Sequence, residues 1–297
     1  MLNEMIEGLN LRSNINVVDC TLGDAGHSEA ILEKTGPEGR LLGIDADPES
    51  VLRAKQYLYR YGTRAVFARS NFSDLKQAVS NANFGPVHGI LFDLGWSTPQ
   101  FAERGRGFSF ETDEPLDMRY SGEQPGAPTM TAADIVNTYE KKDLERILRQ
   151  FGEEKFAAAI ADKIVKTRAE AKIEKTGQLT EIILKVFREK LDSKKDVPWT
   201  GGIHPVTKVF QALRIETNKE LKVLKDVLPD ATELLASGGR IAIITFHSLE
   251  DRIVKHFFQA NSDKLKIITK KPIVASEAEQ KANPRSRSAK LRVAEKI

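Results

Sequence analysis

The chain has 297 residues, 40% of them apolar, and a formal net charge of +3, enough for one elaborated domain or two with a proper core. Its single cysteine, Cys20, excludes an internal disulfide and a cysteine-rich zinc site, and suits a reducing cytoplasm. No apolar run approaches the roughly 20 residues of a membrane span, and residues 1–4 lack the layout of a secretion signal.

In chain order, strand and helix signals alternate. Asn16, Val17, Val18 and Asp19 read as a short buried strand, followed by a polar, glycine-containing turn and a helix over residues 27–34. Residues 40–45 form a second strand, after which Asp47 and Pro48 open a helix as N-cap and first residue. Residues 64–68 and 87–93 give a third and a fourth strand. This alternation predicts parallel βαβ units, hence an open α/β sheet. The pattern breaks over residues 104–126, which are rich in Gly, Pro and charge. From 131 to 191 it is helical, with Leu144, Ile147, Leu148 and Phe151 on an i, i+3, i+4, i+7 stripe. A loop over 192–205 precedes one long helix over 205–235, which Gly238 and Gly239 end. Strand signals return at 240–246, 264–268 and 290–294. The simplest architecture is one α/β domain, residues 1–106 and 203–297, interrupted by a helical insertion, residues 107–202.

Ligands of open α/β sheets bind beyond the carboxyl ends of the strands. Three such ends are polar here. The first carries Gly23 and Gly26, where backbone can approach a ligand closely. The second ends in Asp45, a partner for two ribose hydroxyls through a bond worth about 1.5–3 kcal/mol. The fourth ends in Asp93 and a polar loop running to Gln100. The first turn is not G-x-G-x-x-G, because Thr21 stands at the first glycine position. That weakens a dinucleotide cradle, as in an oxidoreductase, and leaves room for a smaller nucleoside cofactor. From Lys264 to the end, ten Lys/Arg stand against three Asp/Glu, a basic tail suited either to nucleic acid or simply to solvent.

Several further motifs recur in one order: Arg106-Gly107-Phe108-Ser109-Phe110, Pro115-Leu116-Asp117-Met118-Arg119, Phe151-Gly152-Glu153-Glu154-Lys155, Phe246-His247-Ser248-Leu249-Glu250-Asp251-Arg252, and Asn283-Pro284-Arg285 with Ser288-Ala289-Lys290-Leu291-Arg292. With the strand-end motifs, they make nearly the whole chain resemble the bacterial family that methylates the exocyclic N4 of a decoding-centre cytidine in 16S ribosomal RNA. The resemblance implies a class I, Rossmann-like methyltransferase sheet with an all-helical insertion that recognises RNA. It implies S-adenosylmethionine as cofactor, and contacts to it at Ala25, Gly26, His27, Asp45, Phe72, Asp93 and Gln100. It implies 16S rRNA within the small ribosomal subunit as partner, a cytoplasmic protein, and a short segment ahead of Met1, and it leaves a homodimer open. Ala25 and Thr98 replace a glycine and a serine usual in the family.

A sulfonium methyl is already activated, so positioning is the main requirement and can supply roughly 7–11 kcal/mol. The N4 lone pair of cytosine is delocalised, and an acceptor for its amino protons would help it react. Asp93 is the candidate catalytic group, with cofactor binding alone as its competing role, and Ser97 shapes the loop beside it. His247 is a second candidate base or a structural histidine. Arg252, Lys255, Arg285, Arg287 and Arg292 are candidate phosphate contacts. A non-catalytic RNA-binding protein is the alternative outside the enzymes, and a zinc deaminase lacks its cysteine ligands here.

Overall fold

The computed structural model describes residues 1–94, 105–120, 130–192 and 204–297. The chain forms two compact units, Met1–Ser97 with Leu221–Ile297, and Thr98–Glu220. The second unit therefore extends beyond 107–202 at both ends.

The first unit begins with α1 (Leu2–Leu9), β1 (Val17–Asp19), α2 (Gly26–Thr35), β2 (Leu41–Asp45), α3 (Pro48–Tyr57), β3 (Ala65–Arg69), α4 (Leu75–Asn81) and β4 (Val87–Asp93). The second unit contributes α5 (Ala132–Thr138), α6 (Lys141–Gln150), α7 (Ala157–Glu170), α8 (Thr176–Leu191) and α9 (Thr207–Asn218). The first unit then resumes with α10 (Glu220–Leu234), which starts on the last residue of the second. It continues with β5 (Leu235–Thr245), α11 (Ser248–Ala260), β6 (Leu265–Ile267), β7 (Ile273–Val274), α12 (Glu277–Ala282) and β8 (Lys290–Lys296).

The sheet order is β3-β2-β1-β4-β5-β8-β6, with β7 also on β8. Strands β1 to β5 are parallel, and β8 runs antiparallel to β5. Strand order reverses at β1, between β2 and β4, which is where an open α/β sheet splays to admit a ligand. Side chains alternate across the strands as a period of two requires. Val17, Leu41, Leu91 and Ala242 face Met5 and Leu9 of α1, Ile31 and Leu32 of α2, and Val51 and Ala54 of α3. Val18, Leu42, Ile90 and Ile243 face Leu75 and Val79 of α4, Leu224 and Leu228 of α10, and Val254 and Phe258 of α11. Both faces are thus buried, and each fully buried Leu, Ile or Phe contributes about 1.5–3 kcal/mol. The near-continuous apolar strands follow from this double burial.

In the second unit Thr131 caps α5, accepting from Asp134 N while the Asp134 side chain returns to the Thr131 backbone. Leu144, Ile147 and Leu148 of α6 are buried, as are Ile160 and Ile164 of α7. The single helix expected over 205–235 is two. Lys219 adopts left-handed φ 52° between α9 and α10. Asn218, just before it, accepts from Tyr120 N at 3.0 Å and donates to Met118 O at 2.8 Å, fixing the break from outside the helix. Strand β5 also begins earlier than expected, passing through Gly238, whose φ is +74°. The elements α1, β7 and α12 carry no periodicity strong enough to have been expected. No described helix is long and apolar enough to cross a membrane.

Candidate active site

The carboxyl ends of β1, β2 and β4 bring the candidate residues together at the switch point. Asp19, at the end of β1, is 1% exposed. It accepts from Ser28 Oγ at 2.7 Å and from Thr21 N at 3.1 Å. Burial pushes its carboxyl pKa above the ordinary value despite those bonds. Thr21 then crosses to β4: its Oγ1 accepts the backbone N–H of Asp93 at 2.7 Å and reaches Asp19 Oδ1 at 3.5 Å. His27, one residue into α2, places Nδ1 3.3 Å from Asp93 Oδ2. Burial opposes the imidazolium, but the hydrogen bond and charge of Asp93, with Asp19 behind it, outweigh burial and raise the His27 pKa. Asp19, Thr21, His27 and Asp93 are therefore one connected group.

Asp45 forms the second wall. Its Oδ2 accepts from Gly23 N and its Oδ1 from Asp47 N, both at 2.9 Å. These bonds fix the carboxylate plane at the end of β2. Burial, with the neighbouring charges of Asp47 and Asp19, overrides the two N–H donors and pushes its pKa up to about 6. Asp47 caps α3 by accepting from Ser50 N, with Pro48 at the first helical position, as the sequence led us to expect.

The turn between β1 and α2 needs small residues for two reasons. Gly23 and Ala25 both adopt left-handed backbone, at φ 49° and 65°. For Ala25 that conformation costs about 1–2 kcal/mol, a cost that the glycine expected there from the family resemblance would avoid. Gly26 is different: its φ is ordinary, and among the described residues a Cβ built on it meets no atom of another part of the chain within 4 Å. The described residues leave the space beside the N-terminus of α2 open at that point. With the first backbone N–H groups of a helix beside it, this space suits an anionic group. Phe72, in the turn after β3, packs edge-on to Phe92 with ring centroids 5.6 Å apart, which holds a half-buried aromatic at the rim. An open space over a glycine, a fixed carboxylate at the next strand end and an aromatic at the third fit a nucleoside with an amino-acid tail.

Gln100, Ser97 and Thr98 lie outside the described residues. Cys20 is 2% exposed and burial drives its thiol well above the usual pKa, so it offers no thiolate to a substrate. His247 caps α11: its Nδ1 faces Glu250 N at 3.4 Å, and the buried Glu250 returns to Phe246 N at 2.8 Å and His247 N at 3.3 Å. That is a capping box, and it gives His247 a structural task. Arg252, Lys255, Arg285 and Arg287 are exposed. Arg292 is not available to phosphates: it is 6% exposed and paired with Asp251 at 2.6 and 3.2 Å. Counting tail charges could not reveal that pairing. Thr21 is the functional candidate that the sequence reading missed, because only its failure to be glycine was weighed.

A model of the MraW methylase family matches residues 1–297. The chain is 43% identical to a protein of Clostridioides difficile named ribosomal RNA small subunit methyltransferase H, covering 100% of this chain and 97% of that one. It is 45% identical to ribosomal RNA small subunit methyltransferase H 2 of Agathobacter rectalis, over 99% and 96% of the two chains. A Brevibacillus brevis protein named ribosomal RNA small subunit methyltransferase H is 41% identical, over 100% and 96%.

Proposed function

This chain belongs to the MraW methylase family, and from that premise we propose that it methylates the exocyclic N4 of a decoding-centre cytidine in 16S ribosomal RNA, using S-adenosylmethionine. The observation that carries the reading is the meeting of Gly26, Asp45 and the His27–Asp93 pair at the switch point of one sheet. When bound, S-adenosylmethionine supplies a methyl group already activated by its sulfonium. Ala25, Gly26 and His27 would hold its amino-acid end at the start of α2, Asp45 its ribose hydroxyls, and Phe72 the edge of its base. Gln100 completes the set that the family resemblance implies. The second unit would recognise the RNA around the target, and the protein acts in the cytoplasm.

Asp93 stands at the mouth of the crevice with His27 holding one of its oxygens. Its carboxylate can accept a hydrogen bond from the cytosine amino group, which localises the nitrogen lone pair, and take the proton as positive charge develops there. RNA bases are read unstacked, so the target cytidine turns out of its strand to reach this point.

Thr21 positions Asp93 through the backbone. Thr21→Val leaves the Asp93 N–H without its acceptor, which costs about 1–3 kcal/mol and shifts the carboxylate. Single-turnover methylation is expected to fall by about tenfold to a hundredfold, with cofactor affinity largely kept and Thr21→Ser restoring the rate. A Thr21→Val enzyme of parental rate would remove this role.

The raised pKa of Asp45 gives a second expectation. Ribose hydroxyls donate to the ionised carboxylate, so affinity is full above the folded-state pKa of about 6 and declines below it. Calorimetric titration with S-adenosylhomocysteine should find binding about tenfold weaker at pH 5 than at pH 7. Asp45→Asn should bind more weakly throughout and lose that pH dependence; an equally steep profile in the variant would assign it to another group.

The function itself is tested by incubating the protein with methyl-labelled S-adenosylmethionine and 16S rRNA, either free or in assembled small subunits. Label is expected in the RNA with at least one acceptor. Absence of label from both would leave a non-catalytic RNA-binding protein as the better reading.

A further inference from the structure

The basic tail sorts into two kinds of cation. Lys290 and Arg292 face Asp251, and Lys296 Nζ donates to the carbonyls of Glu233 and Leu235. These hold the fold. Lys264, Lys266, Lys270, Lys271, Lys281, Arg285 and Arg287 are exposed and form no ion pair among the described residues. Of the nearby carboxylates, Glu279 is taken by the Met1 amine and Glu295 by Arg240, which leaves Asp263 and Glu277 against seven cations.

Topology puts these cations in one place. Strand β6 pairs with the far end of β8, Leu265 opposite Lys296, and β7 with its beginning, Val274 opposite Lys290. Between them Ile268 N and Thr269 N donate to Val293 O at 3.0 and 3.2 Å, and Val293 N donates to Thr269 Oγ1 at 2.9 Å. Residues 265–274 therefore run along the outer edge of β8, over the length of its seven residues, about 20 Å at the rise of a strand. At its beginning, β8 has Lys290 opposite Thr245, the carboxyl end of β5. That is the rim at which Asp19, Asp45 and Asp93 also stand. Arg285 and Arg287 lie in the short turn Pro284–Ser288 just ahead of Lys290, exposed on either side of buried Ser286. The cations thus form a strip that follows the sheet edge and arrives at the rim of the crevice. Ile273 and Val274, 37% and 56% exposed, place apolar surface within it.

We propose that this strip binds the phosphodiester backbone of single-stranded RNA flanking the nucleotide presented to the crevice. The inference rests on the reading of RNA as the acceptor. A continuous line of unpaired Lys and Arg is the chemistry that tracks a polyanion, and exposed apolar residues between the charges accommodate base faces. Exposed cations that served only solubility would have no reason to converge on the catalytic rim.

The test uses the full chain with Arg285→Gln/Arg287→Gln and, separately, Lys270→Gln/Lys271→Gln. Binding of free 16S rRNA is measured across a salt series, with S-adenosylhomocysteine affinity and the methylation rate at saturating RNA alongside. Each double variant is expected to bind RNA at least about tenfold more weakly near 0.15 M salt and to lower the salt slope by about 1.4, two phosphate contacts on a single strand. Cofactor affinity and the saturated rate should be unchanged. An unaltered slope in both variants overturns the proposal. A loss seen with assembled subunits and not with free rRNA also overturns it, in favour of a ribosomal-protein contact. A parent protein that binds RNA through these residues yet methylates none would uphold the strip while ending the enzymatic reading.

Discussion

Asp93→Asn is expected to slow single-turnover methyl transfer by about 10²- to 10⁴-fold, the range for loss of a positioned proton acceptor. The substitution is nearly isosteric, and its amide oxygen can still accept from His27 Nδ1, which lies 3.3 Å from the parent carboxylate. Its backbone N–H still reaches Thr21 Oγ1. The group that should disappear is the charge that draws on the cytosine amino protons. Cofactor affinity, measured with S-adenosylhomocysteine, should therefore be largely retained. If affinity falls and the rate at saturation stays normal, Asp93 is a cofactor ligand only. A cycle with Thr21→Val adds a check: because Thr21 acts through Asp93, the second substitution should cost little in the Asp93→Asn background.

Gly26→Ala is expected to weaken S-adenosylmethionine binding by at least about tenfold, the effect of a methyl group forced into a close contact, without harm to the fold. The new Cβ meets no atom of another part of the described chain within 4 Å, and Gly26 already has ordinary helical backbone at the first position of α2. Alanine favours a helix by up to about 1 kcal/mol over glycine, so the melting temperature should stay level or rise by up to about 3 °C. A variant that binds cofactor normally would place the cofactor elsewhere; one that unfolds would make Gly26 a structural glycine. The contrast with Gly43 is instructive, since a Cβ there would lie 2.6 Å from Leu22 Cδ1. The two glycines look alike in the sequence and differ only in what surrounds them.

The parts of this site that were legible in the sequence are those fixed by short-range rules. A short apolar strand must end, and its end in a parallel sheet faces the ligand side, so Asp19, Asp45 and Asp93 could be placed without coordinates. Asp47 and Pro48 announced α3 because capping is local. What could not be read depends on partners far along the chain. Thr21 looked like a missing glycine, and its bond to Asp93 spans 72 residues. Arg292 looked like a surface charge, and Asp251, its partner, is 41 residues away. The break at Lys219 has no glycine or proline to mark it; it is held by Asn218 reaching back to Met118 and Tyr120. Family resemblance supplied the acceptor, and the structure supplied the connections among the residues that would serve it.

The central claim, direct transfer to an exocyclic nitrogen, is tested most directly by identifying the methylated nucleoside. The RNA product is digested to nucleosides after one round of labelled transfer and the modified base is mapped in 16S rRNA. The account predicts N4-methylcytidine at a single position. Label on the cytosine ring carbon would contradict it, because that chemistry needs a cysteine nucleophile and Cys20 is buried with its thiol held protonated. Label on a ribose hydroxyl would contradict it equally, leaving Asp93 with no amino proton to accept.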